Sequence, residues 1–582
     1  MPVLARQRGV ARQSAAWDDL IDLRFVNWYF GLILGAVVIV GGGFVVSPAD
    51  QKVLPVKRPH FTDIGPRSAF PYVTNNDFHG RKYFQQPMCG GVAILDYDQD
   101  GLMDIFFANG AKLPELKKTN SSFYNCLLRN KGDGTFEDVT NRAGVSGDNL
   151  DFSYGVAAAD YDNDGWPDLF IANTGKNKLY HNNGNGTFTD VTAQSGLTSK
   201  PADTLSVQGA WFDYDNDGLL DLVVSNYTLW TPQTDRRCQR GDVELYCSPT
   251  TYASVPNRLY HNVGNGKFED VTEKSEFGKT RGKGMGICIA DFNHDGWQDV
   301  FIANDTEPNF LYLNQGNGTF KEAGLLYGVA YSESGSTVSA MGCDAKDYDN
   351  DGWVDIFYNN LMGQTWGLFR NQHGRSFRYA SPATKLVQLS GPYSGWSNGF
   401  IDYNNDGWKD LFSANGDVDN LVPNAQQHDT IFENVDGREF RDVSLEMGAD
   451  FLRSGFQRGA AFADLNNDGF IDLVVTSLNQ KPRILLNSAD NGNHWLLIQI
   501  TGRKSNRDGI GATLKLTMPS GRTLYNHVTA SVGFMSSSDQ RVHFGLGSER
   551  VASSIEVRWP SGGLQTLKEV RADQILRLEE PE

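Results

Sequence analysis

A nine-residue acidic loop occurs seven times in this chain, and its side chains are of the type that binds metal ions. In the copy at residues 160–168, Asp stands at positions 1, 3, 5 and 9 and Gly at position 6. Glycine permits the tight turn that brings alternate carboxylates to one point. A donor set made only of oxygen suits Ca²⁺ better than zinc or copper, and Ca²⁺ tolerates variable geometry better than Mg²⁺ does. We therefore predict a calcium site in each loop.

The candidate ligands vary little between the seven loops, since 25 of the 28 are Asp and three are Asn. All three Asn stand at position 3, where the side chain keeps an oxygen ligand but removes one charge. With one ion in each loop, the chain would bind up to seven Ca²⁺. In chain order the candidate metal ligands are Asp96, Asp98, Asp100 and Asp104; Asp160, Asp162, Asp164 and Asp168; Asp213, Asp215, Asp217 and Asp221; Asp291, Asn293, Asp295 and Asp299; Asp347, Asp349, Asp351 and Asp355; Asp402, Asn404, Asp406 and Asp410; and Asp464, Asn466, Asp468 and Asp472.

The residues around the loops exclude two familiar calcium motifs. An EF-hand needs a Glu at position 12 and flanking helices. Position 12 is instead Phe107, Ile171, Val224, Ile302, Tyr358, Ser413 or Val475. Nine-residue RTX repeats follow one another without gaps, whereas the first Asp residues here are 64, 53, 78, 56, 55 and 62 residues apart. The short apolar runs beside each loop are typical of buried strands.

A second pattern follows each of the first six loops and predicts the rest of the repeat. Residues 179–192 have the pattern of a strand, a tight glycine turn and another strand, and similar stretches begin at residues 127, 259, 311, 368 and 431. Each unit would therefore contain four strands, two around the acidic loop and two in a hairpin. Four-stranded units repeated around an axis form a β-propeller. The sequence thus predicts an all-β fold with a seven-bladed propeller.

The seventh unit lacks the last strand of its hairpin, and the N-terminal part of the chain contains a match for it. The motif Phe61-Thr62-Asp63-Ile64 resembles residues 188–191 of the second unit. We predict that residues 59–66 supply the outer strand of the last blade. Such a closure would remove the open sheet edges that a linear array leaves.

The N-terminal region contains a segment long enough to cross a membrane. After a polar tail at residues 1–27, residues 28–46 form an apolar run of 19 without charge, and Trp28 and Tyr29 stand at its start. We predict a single-pass transmembrane anchor; a cleavable signal peptide is the alternative. Calcium sites at this density need more free Ca²⁺ than the cytosol supplies, so we expect the body to be extracytoplasmic, either periplasmic or at the cell surface.

Charge and cysteine content narrow the possible functions further. The 582-residue chain has a formal charge of −18, with 70 acidic and 52 basic residues. No basic stripe stands out, so we expect no nucleic-acid partner. Cys238 and Cys247 lie in one polar insertion and could form a disulfide, which an extracytoplasmic location permits. Cys288 and Cys343 lie in apolar strands and are predicted to be buried core residues.

The loops and hairpins resemble those of FG-GAP or VCBS-type repeat proteins, and the resemblance covers residues 59–490. Residues 494–582 look like an ASPIC/UnbV domain, through Arg507-Asp508-Gly509-Ile510-Gly511-Ala512, His543-Phe544-Gly545-Leu546-Gly547 and Trp559-Pro560-Ser561-Gly562. Together they make the chain similar to the family of cartilage acidic protein and its bacterial relatives. The strand pattern of the tail predicts a small β-sandwich-like domain.

The sequence favours an interaction or adhesion module that uses calcium structurally. Its partner would be a protein or a polysaccharide, bound at the long insertion at residues 228–257, because long loops are often functional. The alternative is a carbohydrate-active enzyme, a lyase or hydrolase on a propeller scaffold. We find no nucleophile elbow, no H-E-x-x-H and no paired His and Cys site, so we assign no catalytic or cofactor-binding residue and expect no enzymatic activity. A structural subunit of a surface assembly is a third possibility.

Overall fold

The computed structural model of the chain describes residues 60–148, 151–197, 201, 203–488 and 491–582. The predicted anchor at residues 28–46 and the polar tail before it lie outside these ranges. In the described part of the chain, none of the helices combines the length and the apolar character needed to cross a bilayer. The described residues belong to one unit, residues 56–582.

Seven antiparallel sheets share one plan, with a first, second, third and outer strand in that spatial order. The strands of units one to four are Val92–Leu95, Asp104–Phe107, Cys126–Asn130 and Phe136–Asp138; Ser153–Ala159, Asp168–Asn173, Lys178–Asn182 and Phe188–Asp190; Thr204–Phe212, Asp221–Leu229, Arg258–Asn262 and Phe268–Asp270; and Gly284–Ala290, Asp299–Asn304, Phe310–Asn314 and Phe320–Glu322. Those of units five to seven are Cys343–Lys346, Asp355–Tyr358, Gly367–Asn371 and Phe377–Tyr379; Gly395–Ile401, Asp410–Asn415, Thr430–Val435 and Glu439–Asp442; and Gln457–Ala463, Asp472–Ser477, Arg483–Asn487 and Phe61–Asp63.

Apolar side chains on both faces of the first and second strands explain why the units pack side by side. Phe106 of unit one and Leu169 of unit two share one buried cluster, and Ile94 of unit one shares another with Val474 of unit seven. The first strand of each unit contacts the first strand of the next unit, and that of unit seven contacts that of unit one. The chain is therefore all-β, and its arrangement is consistent with a β-propeller-like fold.

The outer strand of unit seven comes from the N-terminal end of the described chain. Phe61, Thr62 and Asp63 pair antiparallel with Asn487, Leu486 and Leu485. The pairing lies where the sequence motif predicts it, and it covers the edge of the third strand that would otherwise be open.

Helices are short and lie in the connections between strands. The α-helices are Thr140–Ala143, Thr192–Ser195, Gly324–Tyr327 and Leu386–Ser390, and the 3₁₀-helices are Gly65–Arg67, Ser121–Phe123, Pro249–Thr251, Phe277–Lys279 and Ser444–Glu446. A further small hairpin, formed by Cys238–Arg240 and Val243–Leu245, lies in the insertion of unit three.

The C-terminal residues form two further sheets that share a core. The first contains Val542–Gly547, His494–Thr501 and Gln574–Glu579, and the second contains Thr523–His527, Thr513–Thr517, Val551–Arg558 and Leu564–Arg571. Buried Ile498 of the first sheet lies in the same apolar cluster as Leu514 and Ile555 of the second. That cluster also includes Phe170 and Trp211 of units two and three, so the C-terminal domain packs directly on the repeat units.

One segment of the C-terminal domain, residues 528–539, enters the centre of the ring of sheets; we call it the axial segment. Its residues Ser536–Ser537 pair in parallel with Val92 and Ala93 of unit one. Hydrogen bonds join it to the first strands of the other six units: Val156 N to Met535 O (3.2 Å), Met535 N to Gln208 Oε1 (3.1 Å), Ser531 Oγ to Ile287 O (3.0 Å), Gly533 N to Cys343 O (2.8 Å), Phe534 N to Ser397 Oγ (3.1 Å) and Asp539 N to Phe462 O (3.0 Å).

Side chains from both ends of the ring fill its axis. Phe534 and Met535 of the axial segment lie in one buried cluster with Phe84 and Met88, which precede the first strand of unit one. The Phe84 ring centroid lies 5.5 Å from that of Tyr227. The centre of the ring is therefore a packed apolar core, and we do not place a ligand site there.

Candidate metal-binding loops

Each acidic loop connects a first strand to a second strand and is held by its own backbone N–H groups. In loop two, Asp160 Oδ1 accepts from Asp164 N at 3.0 Å, and Asp160 Oδ2 accepts from Gly165 N at 2.7 Å. Asn163, at position 4, has a φ of 60°, in the left-handed region that Asn adopts more readily than most residues. The other six loops have the same two bonds to the position-1 carboxylate.

The position-9 Asp joins the loop to the hairpin of its own unit. Asp168 is fully buried; its Oδ2 accepts from Tyr161 N at 3.2 Å and its Oδ1 from Asn182 N at 2.8 Å. The Asn182 side chain donates in turn to Tyr97 O of loop one at 2.9 Å. Each carboxylate at position 9 is thus fixed between two strands before any ion is considered.

Sequence reasoning missed the role of this hairpin Asn, which every unit contains near the end of its third strand. In each unit its backbone N–H donates to the position-9 Asp, and its side chain donates to a carbonyl of the preceding loop. The signal was an Asn at one fixed place in every hairpin. These hairpin Asn residues are Asn130, Asn182, Asn262, Asn314, Asn371, Asn434 and Asn487.

Position 4 links successive loops into a closed ring at one end of the sheets. Asn163 Nδ2 donates to Gly218 O of the next loop at 2.9 Å, and Asn467 of loop seven donates to Gly101 O of loop one at 3.0 Å. Loops one, three, five and six have the same bond. In loop four, His294 stacks instead on Trp353 of loop five, with 3.8 Å between ring centroids.

The carboxylates at positions 1, 3 and 5 come close enough together to share one ion. One oxygen each from Asp160, Asp162 and Asp164 lies within 4.8 Å of the others. At position 3, the Oδ1 atoms of Asp98, Asp162, Asp215 and Asp349 are buried and accept no hydrogen bond from the described residues. A buried carboxylate oxygen without a partner is unfavourable. These oxygen-only donor sets therefore fit a hard cation such as Ca²⁺.

Electrostatics in the loops also favour a cation. Burial, together with the neighbouring Asp508, raises the pKa of Asp160 to about 8, and burial with Asp221 nearby raises the pKa of Asp213 to about 8. Burial raises the pKa of Asp168 to about 7. Burial thus destabilises the ionised form of each group, and a bound cation would reverse that effect.

Four loops already face a basic side chain from the third strand, at the residue before the hairpin Asn. Arg129 Nε lies 2.5 Å from Asp98, and Arg370 Nε lies 2.5 Å from Asp349. His181 is the equivalent residue in unit two. Its Nδ1 lies 3.3 Å from a carboxylate oxygen of Asp162. His261 Nδ1 is likewise 3.1 Å from Asp221. The two histidines therefore lie at the candidate metal sites.

The C-terminal domain covers the ring of acidic loops. Arg507 N donates to Asn163 Oδ1 of loop two at 2.8 Å, and Arg541 Nη1 donates to Asn467 Oδ1 of loop seven at 2.8 Å. Gly547 N donates to Asn405 O of loop six at 2.8 Å. The sequence does not reveal this contact, because its residues are far apart in the chain and lack a shared pattern.

The predicted interaction insertion lies at the opposite end of the sheets, since it connects the second and third strands of unit three. Cys238 and Cys247 form a disulfide that closes its hairpin. Asp235, at the base of the insertion, accepts hydrogen bonds from Trp230 Nε1 at 2.9 Å and Arg81 Nη2 at 3.0 Å. Cys288 and Cys343 are buried, as the sequence predicts.

Repeated four-stranded units with acidic loops and a terminal β-domain define a class of repeat protein that family comparison identifies. A family described as FG-GAP-like repeat matches residues 96–171, 160–224, 239–302, 291–358 and 347–413. A second, described as ASPIC and UnbV, matches residues 502–582. The chain belongs to the family of FG-GAP-like repeat proteins and has a C-terminal ASPIC and UnbV domain, which confirms the resemblance found in the sequence.

Within this class, the chain is similar to cartilage acidic protein 1 of vertebrates. It is 26% identical to the Xenopus tropicalis protein over 500 residues, which cover 82% of this chain and 71% of the relative. It is 25% identical to the Homo sapiens protein over 492 residues, which cover 81% of this chain and 69% of the relative.

Two solved structures show a distant likeness to the chain. One is an Agrocybe aegerita lectin that recognises non-reducing terminal N-acetylglucosamine, with a TM-score of 0.39 and 16% identity. The match covers 60% of this chain and 79% of the lectin chain. The other is the exotype rhamnogalacturonan lyase YesX, with a TM-score of 0.35 and 10% identity. The match covers 68% of this chain and 71% of the lyase chain. At these TM-scores the likenesses carry no functional argument.

Proposed function

We propose that the protein is a membrane-anchored, extracytoplasmic interaction module built on a seven-bladed β-propeller in which Ca²⁺ is structural. In this proposal residues 1–27 are a polar tail, residues 28–46 the anchor, residues 59–490 the propeller and residues 494–582 the C-terminal domain. The observation that carries the proposal is the ring of seven acidic loops, in which the buried position-3 Oδ1 atoms of Asp162 and Asp215 have no hydrogen-bond partner among the described residues. The 28 predicted ligands, four in each loop, would bind the ion of their loop through carboxylate or amide oxygen atoms.

A structural role follows from where the loops lie. Each loop joins two buried strands, bonds to the next loop and receives the hairpin Asn of the next unit, as in the contact of Asn182 with Tyr97 O. Bound Ca²⁺ would supply positive charge to the clustered carboxylates. An ion at such a junction would relieve the repulsion between the carboxylates of the loop. It would therefore stabilise the interface between the two neighbouring units that the loop contacts.

Chelation tests the role of calcium. The body from residue 49 onward should lose at least several degrees of melting temperature in EGTA, because binding to the folded state alone stabilises that state. Differential scanning calorimetry in EGTA, in excess Ca²⁺ and in Mg²⁺ at equal ionic strength gives the comparison. The same melting curve in all three solutions would contradict a structural role for Ca²⁺.

The surface proposed for partner binding is the end of the propeller that carries the disulfide hairpin. The C-terminal domain covers the other end, so the ring of loops is not free to receive a partner. Arg236, Arg237 and Arg240 are exposed on the hairpin, and Val243 at its tip is 48% exposed. A protein or polysaccharide partner would meet both charge and apolar surface there.

A pull-down tests this surface. A triple variant, Arg236→Ala, Arg237→Ala and Arg240→Ala, should recover at least fivefold less of the partner than the wild-type body does in Ca²⁺. The exposed Arg375→Ala, on the hairpin of unit five, is the matched control and should bind normally. Equal recovery by the triple variant and the wild type would place the partner surface elsewhere.

Catalysis on a polysaccharide has less support as a function. Two lysines lie beneath the C-terminal domain: Lys346, and Lys409 at position 8 of loop six. Lys346 Nζ donates to His527 O at 3.1 Å, and Lys409 Nζ donates to Tyr525 O at 2.8 Å. These lysines fasten a strand of the C-terminal domain, so we give them a structural role.

A further inference from the structure

The seven loops fall into two classes according to which residue faces them from the third strand. Loops one, two, three and five have Asp at position 3, and the facing residue is Arg129, His181, His261 or Arg370. Loops four, six and seven have Asn at position 3, and the facing residue is Leu313, Glu433 or Leu486. Within the nine-residue loop itself, a fourth carboxylate therefore occurs only where the third strand supplies Arg or His.

The two arginines engage their loops through two carboxylates each. In loop one, Arg129 Nε lies 2.5 Å from Asp98 and its Nη2 2.7 Å from Asp100. In loop five, Arg370 Nη2 lies 2.9 Å from Asp351, and its Nε contacts Asp349. Both side chains are about one-third exposed, at 31% and 33%. The arginines thus occupy the position-3 and position-5 carboxylates that Ca²⁺ would need.

A guanidinium group competes with a metal ion for the same carboxylates. It stays protonated at any pH at which the protein is folded, and its planar fork holds two carboxylates at once. The histidines of loops two and three differ, since neither forms a hydrogen bond to the position-3 or position-5 carboxylate of its loop. His181 Nδ1 has no hydrogen-bond partner among the described residues, and His261 Nδ1 pairs with Asp221 at position 9. In loops four, six and seven the third strand supplies no cation, and the position-3 Asn side chain donates to the position-5 Asp, for example Asn293 to Asp295 at 2.8 Å.

We propose that Arg129 and Arg370 take the place of the metal ion in loops one and five, so that the protein binds five Ca²⁺ and not seven. The inference rests on the proposed calcium function and names which loops perform it. The five ions belong to loops two, three, four, six and seven. In the other two loops the side-chain cation fastens the third strand to the loop, as an ion does elsewhere.

Counting bound calcium tests the proposal on the full chain in detergent. After equilibration in about 1 mM Ca²⁺, the range in which extracellular modules bind, elemental analysis and isothermal titration should give five ions per chain. The double variant Arg129→Leu and Arg370→Leu should give seven, since Leu is the native residue facing loops four and seven. Arg378→Leu, whose residue pairs with Arg370 across the same hairpin, is the control and should leave the count at five.

The reverse substitution gives an independent measurement. Leu313→Arg places a guanidinium against loop four and should lower the count from five to four. If the double variant does not fold, this single variant decides, because an unchanged count of five would overturn the proposal. Seven ions on the wild type would also overturn it and leave the calcium function intact, whereas no bound calcium on any variant would contradict the calcium function itself.

Discussion

At the residue scale, the loops depend on neighbours that are distant in the sequence. The carboxylate of Asp168 is held by Asn182, whose side chain also reaches Tyr97 O of the preceding loop. The order of the candidate ligands can be read from the sequence because their spacing is local. Their partners could not be read, because a lone Asn at the end of a strand has many structural uses.

Asn182→Ala should destabilise the protein by about 1–3 kcal/mol, because it leaves the buried Tyr97 carbonyl without its donor. Denaturant unfolding of the soluble body measures the change in the free energy of unfolding. The adjacent Asn183 is exposed, and its side chain forms hydrogen bonds at the surface with Thr187 and Thr189. Asn183→Ala should change stability by less than about 0.5 kcal/mol. Equal losses in the two variants would argue against the role of the hairpin Asn.

At the element scale, the four-stranded unit was predictable and the axial segment was not. Apolar runs around each loop and a glycine turn in each hairpin are local signals, so the sequence places both pairs of strands. The closing strand was found because residues 61–64 repeat the hairpin motif. Residues 528–539 match no other stretch of the repeat. Their partners, such as Gln208 and Ile287, are hundreds of residues away in the sequence. Only the folded chain shows that they enter the axis.

Phe534→Ala should destabilise the repeat units together with the C-terminal domain. The Phe534 ring is fully buried in the axial core, and removal of such a ring costs about 3–5 kcal/mol. Calorimetry should show one cooperative transition at lower temperature. Leu564, on the second C-terminal sheet, is 59% exposed, and Leu564→Ala should leave the transition in place. If the lower-temperature transition involved only the C-terminal domain, the axial segment would not couple the two parts.

At the scale of the whole molecule, the acidic loops and the C-terminal domain form one end, and the disulfide hairpin lies at the other. The net charge of −18 is in keeping with the acidic loops. It does not reveal that a domain covers those loops. Arg507 and Arg541 of the C-terminal domain face the ring of loops. A basic face on an acidic protein is invisible in a total charge, since the two are added together.

The order of contacts along the chain also limits when the protein can fold. Residues 61–63 emerge early during synthesis, yet their partner strand is residues 483–487 and the axial segment ends at residue 539. Synthesis at about 5–20 residues per second leaves the first strand without its partner for roughly 20 to 85 seconds. During that time the first unit and the most recently finished unit each expose an apolar side that a neighbouring unit later covers. We therefore expect the nascent chain to bind chaperones in the compartment in which it folds.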